Sequence, residues 1–231
     1  MFMSVRESSV LALVRGDPMI SQEAMAQRLG ISRSAVAGHI MSLTQKGIIE
    51  GRGYVLSASP FVVVVGGANI DIHGVPAYDL VQGDSNVGTV LTCAGGVGRN
   101  IAENLSRLGK QVRLMAPIGL DKHGDFLHQQ SVDAGVDMSF VLRHPNLSTS
   151  TYLSILNHQG SMQVAISDMA IMDSLNPAYL KKHEPMLRQA ELIIIDCNVS
   201  EQTLEYLLTS FPDQAKFVDT VSTRKAMKIK P

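Results

Sequence analysis

Two groups of residues have the types and spacing to hold a hydrogen-bonding ligand. The first is Gly66-Gly67-Ala68-Asn69-Ile70-Asp71, placed immediately after an unbroken apolar run at residues 61–65. The second is Ala94-Gly95-Gly96-Val97-Gly98-Arg99-Asn100, which opens a segment with helical periodicity. In an open parallel sheet, ligands bind beyond the carboxyl ends of the strands, so Asn69 and Asp71 are expected to face a crevice. The glycines allow backbone to approach a ligand closely. The plainer alternatives are that Asn69 and Asp71 cap a turn and that the glycines serve tight packing. A third group, near the N-terminus, is cationic and hydroxylic: Ser32, Arg33, Ser34 and His39 at helical spacing, with Arg52 between two glycines.

Other arrangements are weaker. Gly96-x-Gly98 lacks the third glycine of a dinucleotide fingerprint, since Ile101 stands there, and no acid ends the strand at residues 112–116 to hold a ribose. Asp121, His123, Asp125 and His128 are metal-ligating types, but a turn and a solvated helix face account for them, and no metal site is expected. The twelve methionines read as core filler.

The elements that must position these groups divide at Ser57-Ala58-Ser59-Pro60, a short small-residue joint. Residues 1–58 form one expected domain and residues 61–231 another. The first carries six Lys/Arg against four acids, and the remainder 14 against 17, so a basic module precedes an acidic one. Its pattern is helix (7–15), helix (22–29) capped by Ser21 and ended by Gly30, helix (to about 45) capped by Ser32, then a strand–turn–strand wing around residues 51–53. This order resembles the winged helix-turn-helix domain. The resemblance implies that Ser32, Arg33, Ser34 and His39 enter a major groove of DNA while Arg52 reaches a phosphate or the minor groove. A protein-binding or purely structural three-helix module is the alternative.

In the second domain, continuous apolar strands (61–65, 112–116, 192–196, 217–219) alternate with helices (98–108, 126–134, 179–189, 201–209), the pattern of an α/β parallel sheet covered on both faces. Residues 88–92, 151–156 and 162–166 instead alternate apolar and polar, and read as an antiparallel flap outside that sheet.

With Asn69-Ile70-Asp71, Gly95, Gly96 and Asn100, together with Gly119-Leu120-Asp121, Gly124 and Ala134-Gly135-Val136-Asp137, residues 61–231 resemble the pfkB, ribokinase-like family of carbohydrate kinases. Ile166-Ser167-Asp168-Met169 and Asp196-Cys197-Asn198-Val199-Ser200 resemble the pseudouridine kinases within it. The resemblance implies an incomplete three-layer ribokinase-like sheet with a β flap. It also implies a sugar or nucleoside held by Asn69, Asp71, Gly95, Gly96 and Asn100, with Asp168 contacting a nucleobase or sugar hydroxyl. Each bond to the Asp71 carboxylate would contribute about 1.5–3 kcal/mol. ATP and Mg are implied as cofactors, and pairing of two flaps as a route to a homodimer.

The family's glycine-rich second signature, with its catalytic Asp and adenine pocket, is not found. The chain therefore reads as a truncated kinase fused to a DNA-binding domain, with no catalytic residue assigned and no kinase turnover expected of it alone. A sugar- or nucleoside-sensing regulator without kinase activity is the alternative. The absence of a long apolar stretch or an export signal, and two cysteines that suit a reducing compartment, point to a cytoplasmic protein.

Overall fold

A computed structural model describes residues 3–50 and 60–229. The chain divides into two compact units, one within residues 1–59 and the other within residues 60–231.

Among its described residues the first unit contains three helices: α1 (Val5–Gly16), α2 (Gln22–Leu29) and α3 (Arg33–Gln45). Each begins where a serine supplies its side-chain oxygen to an orphan N–H: Ser4 to Glu7, Ser21 to Ala24 and Ser32 to Ala35. α2 stops at Gly30, whose left-handed backbone (φ 62°) turns the chain toward α3. Val10, Leu11, Val14, Met25, Val36, Leu43 and Ile49 form the core. Glu7 anchors this unit. Its carboxylate accepts from the Ser4 amide, the Ser42 hydroxyl and the Lys46 ammonium, each at 2.6 Å. Those donors, Lys46 foremost, hold its pKa down to about 2. Tyr54, Val55 and Arg52, expected in the wing, lie outside the described residues.

The second unit is built on a parallel sheet of β1 (Phe61–Val65), β4 (Gln111–Met115), β9 (Leu192–Asp196) and β10 (Ala215–Asp219), in the order β10-β9-β1-β4. All five residues of β1 are buried, because side chains on both of its faces meet helices. One face packs on Leu180, Leu187, Leu204, Leu207 and Phe211, the other on Ala102, Leu127 and Val136. The helices are α4 (Val97–Arg107), α5 (Lys122–Asp133), α6 (Pro177–Lys182), α7 (Glu184–Arg188), α8 (Glu201–Ser210) and the short α9 (Thr223–Ala226). The single helix expected over residues 179–189 is two, because Pro185 at the start of α7 cannot donate to a continuing ladder.

A second sheet holds β2 (Asn69–Pro76), β3 (Gly88–Gly95), β7 (Thr151–Leu156) and β8 (Met162–Asp168), in the order β3-β2-β7-β8. β5 (Pro117–Gly119) and β6 (Leu142–His144) pair separately. The expected flap is thus a four-stranded sheet, and it is mixed rather than antiparallel, since β2 and β7 run parallel. Asn69 and Asp71 do not cap a turn: they open β2, a strand the sequence reading missed because Gly74 and Val75 break the alternation that runs from Asn69 to His73. β3 likewise continues to Gly95, three residues beyond the expected end.

Candidate functional site

Asn69 and Asp71 lie on the same face of β2, two residues apart, and their side chains touch: Asn69 Nδ2 donates to Asp71 Oδ1 at 2.5 Å. Asn69 is buried and Asp71 half-buried, so the pair forms the root of the flap where it leaves β1. On the neighbouring strand Gly95 is the register partner of Asn69, and Cys93 that of Asp71. A methyl group at Gly95 would overlap the Asp71 carboxylate, so only glycine leaves that carboxylate its position. Gly96 follows at φ 99°, where a Cβ would strike the Gly67 carbonyl and Ala68, and α4 begins. The Arg99 amide donates to the Gly67 carbonyl at 3.0 Å, which seats the helix start on the loop after β1.

Beneath this junction lies a residue the sequence reading passed over as a site. Asp196, at the end of β9, is fully buried. Its Oδ2 accepts from the amides of Gly67 (2.7 Å) and Gly98 (2.8 Å), and its Oδ1 from the amide of Asn198 (2.6 Å). Burial pushes the carboxyl up, and the three N–H donors pull against that without cancelling it. Its sequence signals were an acid closing an otherwise apolar strand and its place at the head of the Asp196–Ser200 stretch, neither of which assigned it a role. A side chain at Gly66 would strike this carboxylate, which explains the glycine pair after β1.

Asn100, in the first turn of α4, is exposed, and its side-chain oxygen accepts from Arg99 Nη1 at 3.0 Å. Arg99 is itself buried and paired with Glu103 one turn on. The two glycine-bearing motifs are therefore joined through backbone at Gly67, Ala68 and Gly96. No hydrogen bond links the Asn100 side chain to Asn69 or Asp71 among the described residues.

Asp168 stands elsewhere. Strand pairing aligns Ile70 with Thr151 and Thr151 with Asp168, so Asp168 belongs to the flap face opposite Asn69 and Asp71. There it lines a polar groove of about 450 Å³ with Asp121, Lys122, His123, Thr149 and Thr151. Burial works to raise the Asp121 carboxyl, but bonds from Thr149 and Gly124 outweigh it and hold the carboxyl low.

In the first unit, Ser32, Arg33 and Ser34 are exposed at the start of α3 and His39 is half-buried. The Ser32 hydroxyl is engaged as the helix cap and with Ser34 Oγ at 2.9 Å, which leaves Arg33 as the exposed cation of this turn. Arg52 lies outside the described residues.

Among the described residues no helix is long and apolar enough to cross a membrane.

Residues 6–50 match the winged helix-turn-helix DNA-binding family, and residues 59–228 match the pfkB family of carbohydrate kinases. The uncharacterized sugar kinase YeiI of Escherichia coli K12 is 43% identical over 228 residues, which is 99% of this chain and 63% of that protein. The pseudouridine kinase of the same organism is 40% identical over 170 residues, covering 74% of this chain and 54% of the relative. The chain thus spans somewhat more than half the length of these relatives. Among solved structures, a carbohydrate kinase from Agrobacterium tumefaciens shares 31% identity with a TM-score of 0.68, covering 74% of this chain and 57% of the other. Ribokinase from Arabidopsis thaliana, solved with ribose and ATP, shares the fold at 21% identity and a TM-score of 0.60, covering 70% of this chain and 54% of the other. A ribokinase-like sheet with its flap, and a family match that takes in nearly all of the second unit, lead to one conclusion: the chain belongs to the pfkB family of carbohydrate kinases and carries a winged helix-turn-helix unit ahead of its kinase domain.

Proposed function

We propose that residues 60–229 bind the ribose of a nucleoside such as pseudouridine, and that residues 1–58 bind DNA. The observation that carries the first half is the Asn69–Asp71 pair at the flap root, kept clear by Gly95. A half-buried carboxylate with one oxygen fixed by Asn69 can accept from sugar hydroxyls with the other, in a site that the flap shields from water. Gly95 and Gly96 bring backbone to the same place, and Asn100 adds a donor from the first turn of α4. Asp168 faces the separate groove beside Asp121, so its contact would be to a different part of the ligand, such as the base.

In the whole kinase the phosphoryl donor would be ATP with Mg, acting on a primary hydroxyl. The residues at the ends of β9 and β10 do not by themselves form a triphosphate cradle. Lys228 donates to the carbonyls of Cys197 (3.0 Å) and Val199 (2.8 Å), and Lys225 to Asn198. No phosphoryl-transfer step is assigned to this chain, whose role in that reaction is to hold and orient the sugar.

Calorimetric titration of the purified chain with pseudouridine tests the assignment. Saturable binding is expected, reduced at least tenfold by Asp71→Asn, which removes a charge-assisted acceptor, with a comparable loss for the analogue lacking the 2′-hydroxyl. Equal affinity of Asp71→Asn and the parent chain would discard the site.

The helix-turn-helix unit on the same chain favours a second role, in which the bound nucleoside biases DNA binding. Saturating pseudouridine should then shift the affinity for a target duplex by fluorescence anisotropy, and an unchanged affinity removes this role while leaving the sugar site intact.

A further inference from the structure

We propose that Asp71, His73 and Cys93 form a three-ligand site for Zn²⁺ on the flap, one that withdraws Asp71 from the sugar when the metal is bound. A carboxylate oxygen, an imidazole nitrogen and a thiol sulfur from these residues all lie within 4.8 Å of one another. They are not the residues whose types first suggest a metal in the sequence, because what brings them together is strand pairing. Asp71 and His73 alternate onto one face of β2, and Cys93 is the register partner of Asp71 on β3.

The set suits zinc in chemistry as well as in spacing. Thiolate, imidazole and carboxylate are its ordinary ligands, and three protein ligands leave the fourth tetrahedral position to water. With zinc–ligand bonds of about 2.0–2.3 Å, tetrahedral ligand atoms stand about 3.3–3.7 Å apart. The widest separation needs to close by about 1–1.5 Å, within the reach of side-chain rotation on a half-exposed strand pair. Their outer contacts are those of a metal site. His73 Nδ1 shares a 2.6 Å hydrogen bond with Ser154 Oγ, which fixes the ring and leaves Nε2 for the ion. Asn69 steadies one Asp71 oxygen and leaves the other. Cys93 is exposed, so the ion has a path to it.

Binding forms the Zn–S bond as the Cys93 S–H bond breaks and its proton passes to solvent. Because Asp71 is common to both sites, zinc and nucleoside exclude each other, a consequence that rests on the proposed sugar site whereas the metal site does not.

The test uses the full reduced, metal-free chain with CoCl₂ as a spectroscopic probe and ZnCl₂ by calorimetry. One ion per chain and a thiolate-to-cobalt charge-transfer band are expected. Cys93→Ser should abolish the band and weaken zinc at least tenfold, and His73→Ala should weaken zinc to a similar degree. Cys197→Ser, which alters the other thiol, should retain the band. No saturable binding, or a band that survives Cys93→Ser, overturns the site. Zinc that binds through Cys93 without raising the apparent Kd for pseudouridine overturns the exclusion alone. If pseudouridine fails to bind even the metal-free chain, the sugar assignment falls while the cobalt band still decides the metal site.

Discussion

Asp196 shows how much a single carboxylate can hold in place. Three backbone amides converge on it from the loop after β1, the start of α4 and the turn after β9, and in Asp196→Ala those of Gly67 and Gly98 would be left buried without an acceptor, that of Asn198 partly so. At about 1–3 kcal/mol for each buried orphaned donor, the substitution should lower the unfolding free energy of the second unit by at least about 2 kcal/mol, measured by urea denaturation. A loss under 1 kcal/mol would mean that water replaces the carboxylate easily. The same residue has a pH signature. Burial raises its pKa, so as pH rises from the ordinary carboxylate range toward the raised value the unfolded chain gives up a proton that the folded chain keeps. Stability therefore falls through that window as pH rises. Gly95→Ala is the matching test at the sugar site. The added methyl displaces the Asp71 carboxylate, so nucleoside affinity should fall at least tenfold in calorimetry while the far-ultraviolet circular dichroism stays unchanged.

At the scale of elements, the opposite sign appears in α1. Glu7 has its pKa lowered to about 2 by Lys46, Ser42 and Ser4, so its stabilisation is complete above the ordinary glutamate value of 4.5 and is lost as pH falls toward 2. Acid titration of the first unit, followed by circular dichroism, should show this loss, and Glu7→Gln should flatten it. Those partners come from both the start of α1 and the end of α3, which makes Glu7 the tie between the two helices rather than a mere capping residue. The elements also show what a sequence discloses. Helix starts were legible because serine caps are local chemistry: α2 and α3 follow directly from Ser21, Gly30 and Ser32. The core strands β1 and β9 were legible because strands buried on both faces are apolar without a break. β2 was not, since Asn69, Asp71 and Gly74 disguise a strand whose partners are 12 or more residues away. The opposite facing of Asp168 and Asp71 could not be read either, since it follows from the alignment of three strands. The residues of the glycine motifs were visible in the sequence, but Asp196, which binds those motifs together, was not visible as their partner.

For the whole molecule, the two units carry charges of opposite sign, +2 over residues 1–58 and −3 over the remainder. A binding unit of such modest charge must rely on a few well-placed phosphate contacts. Arg33, exposed at the start of α3, is the described cation best placed to make one. Arg33→Ala should weaken binding to a random-sequence duplex and reduce the slope of log K against log salt by about 1, as read by fluorescence anisotropy. An unchanged slope would remove Arg33 from the contact.

The bonds to Asp196 also impose an order of events on synthesis. Gly98 and Gly67 are separated from their shared acceptor by 98 and 129 residues. β1 is likewise flanked by β4, made soon after it, and by β9, made much later. A nascent chain emerging from the ribosome can assemble the helix-turn-helix unit at once, since its contacts are local. The glycine turns must wait unlatched until translation delivers position 196, leaving an interval in which the half-made sheet shows apolar surface to its surroundings.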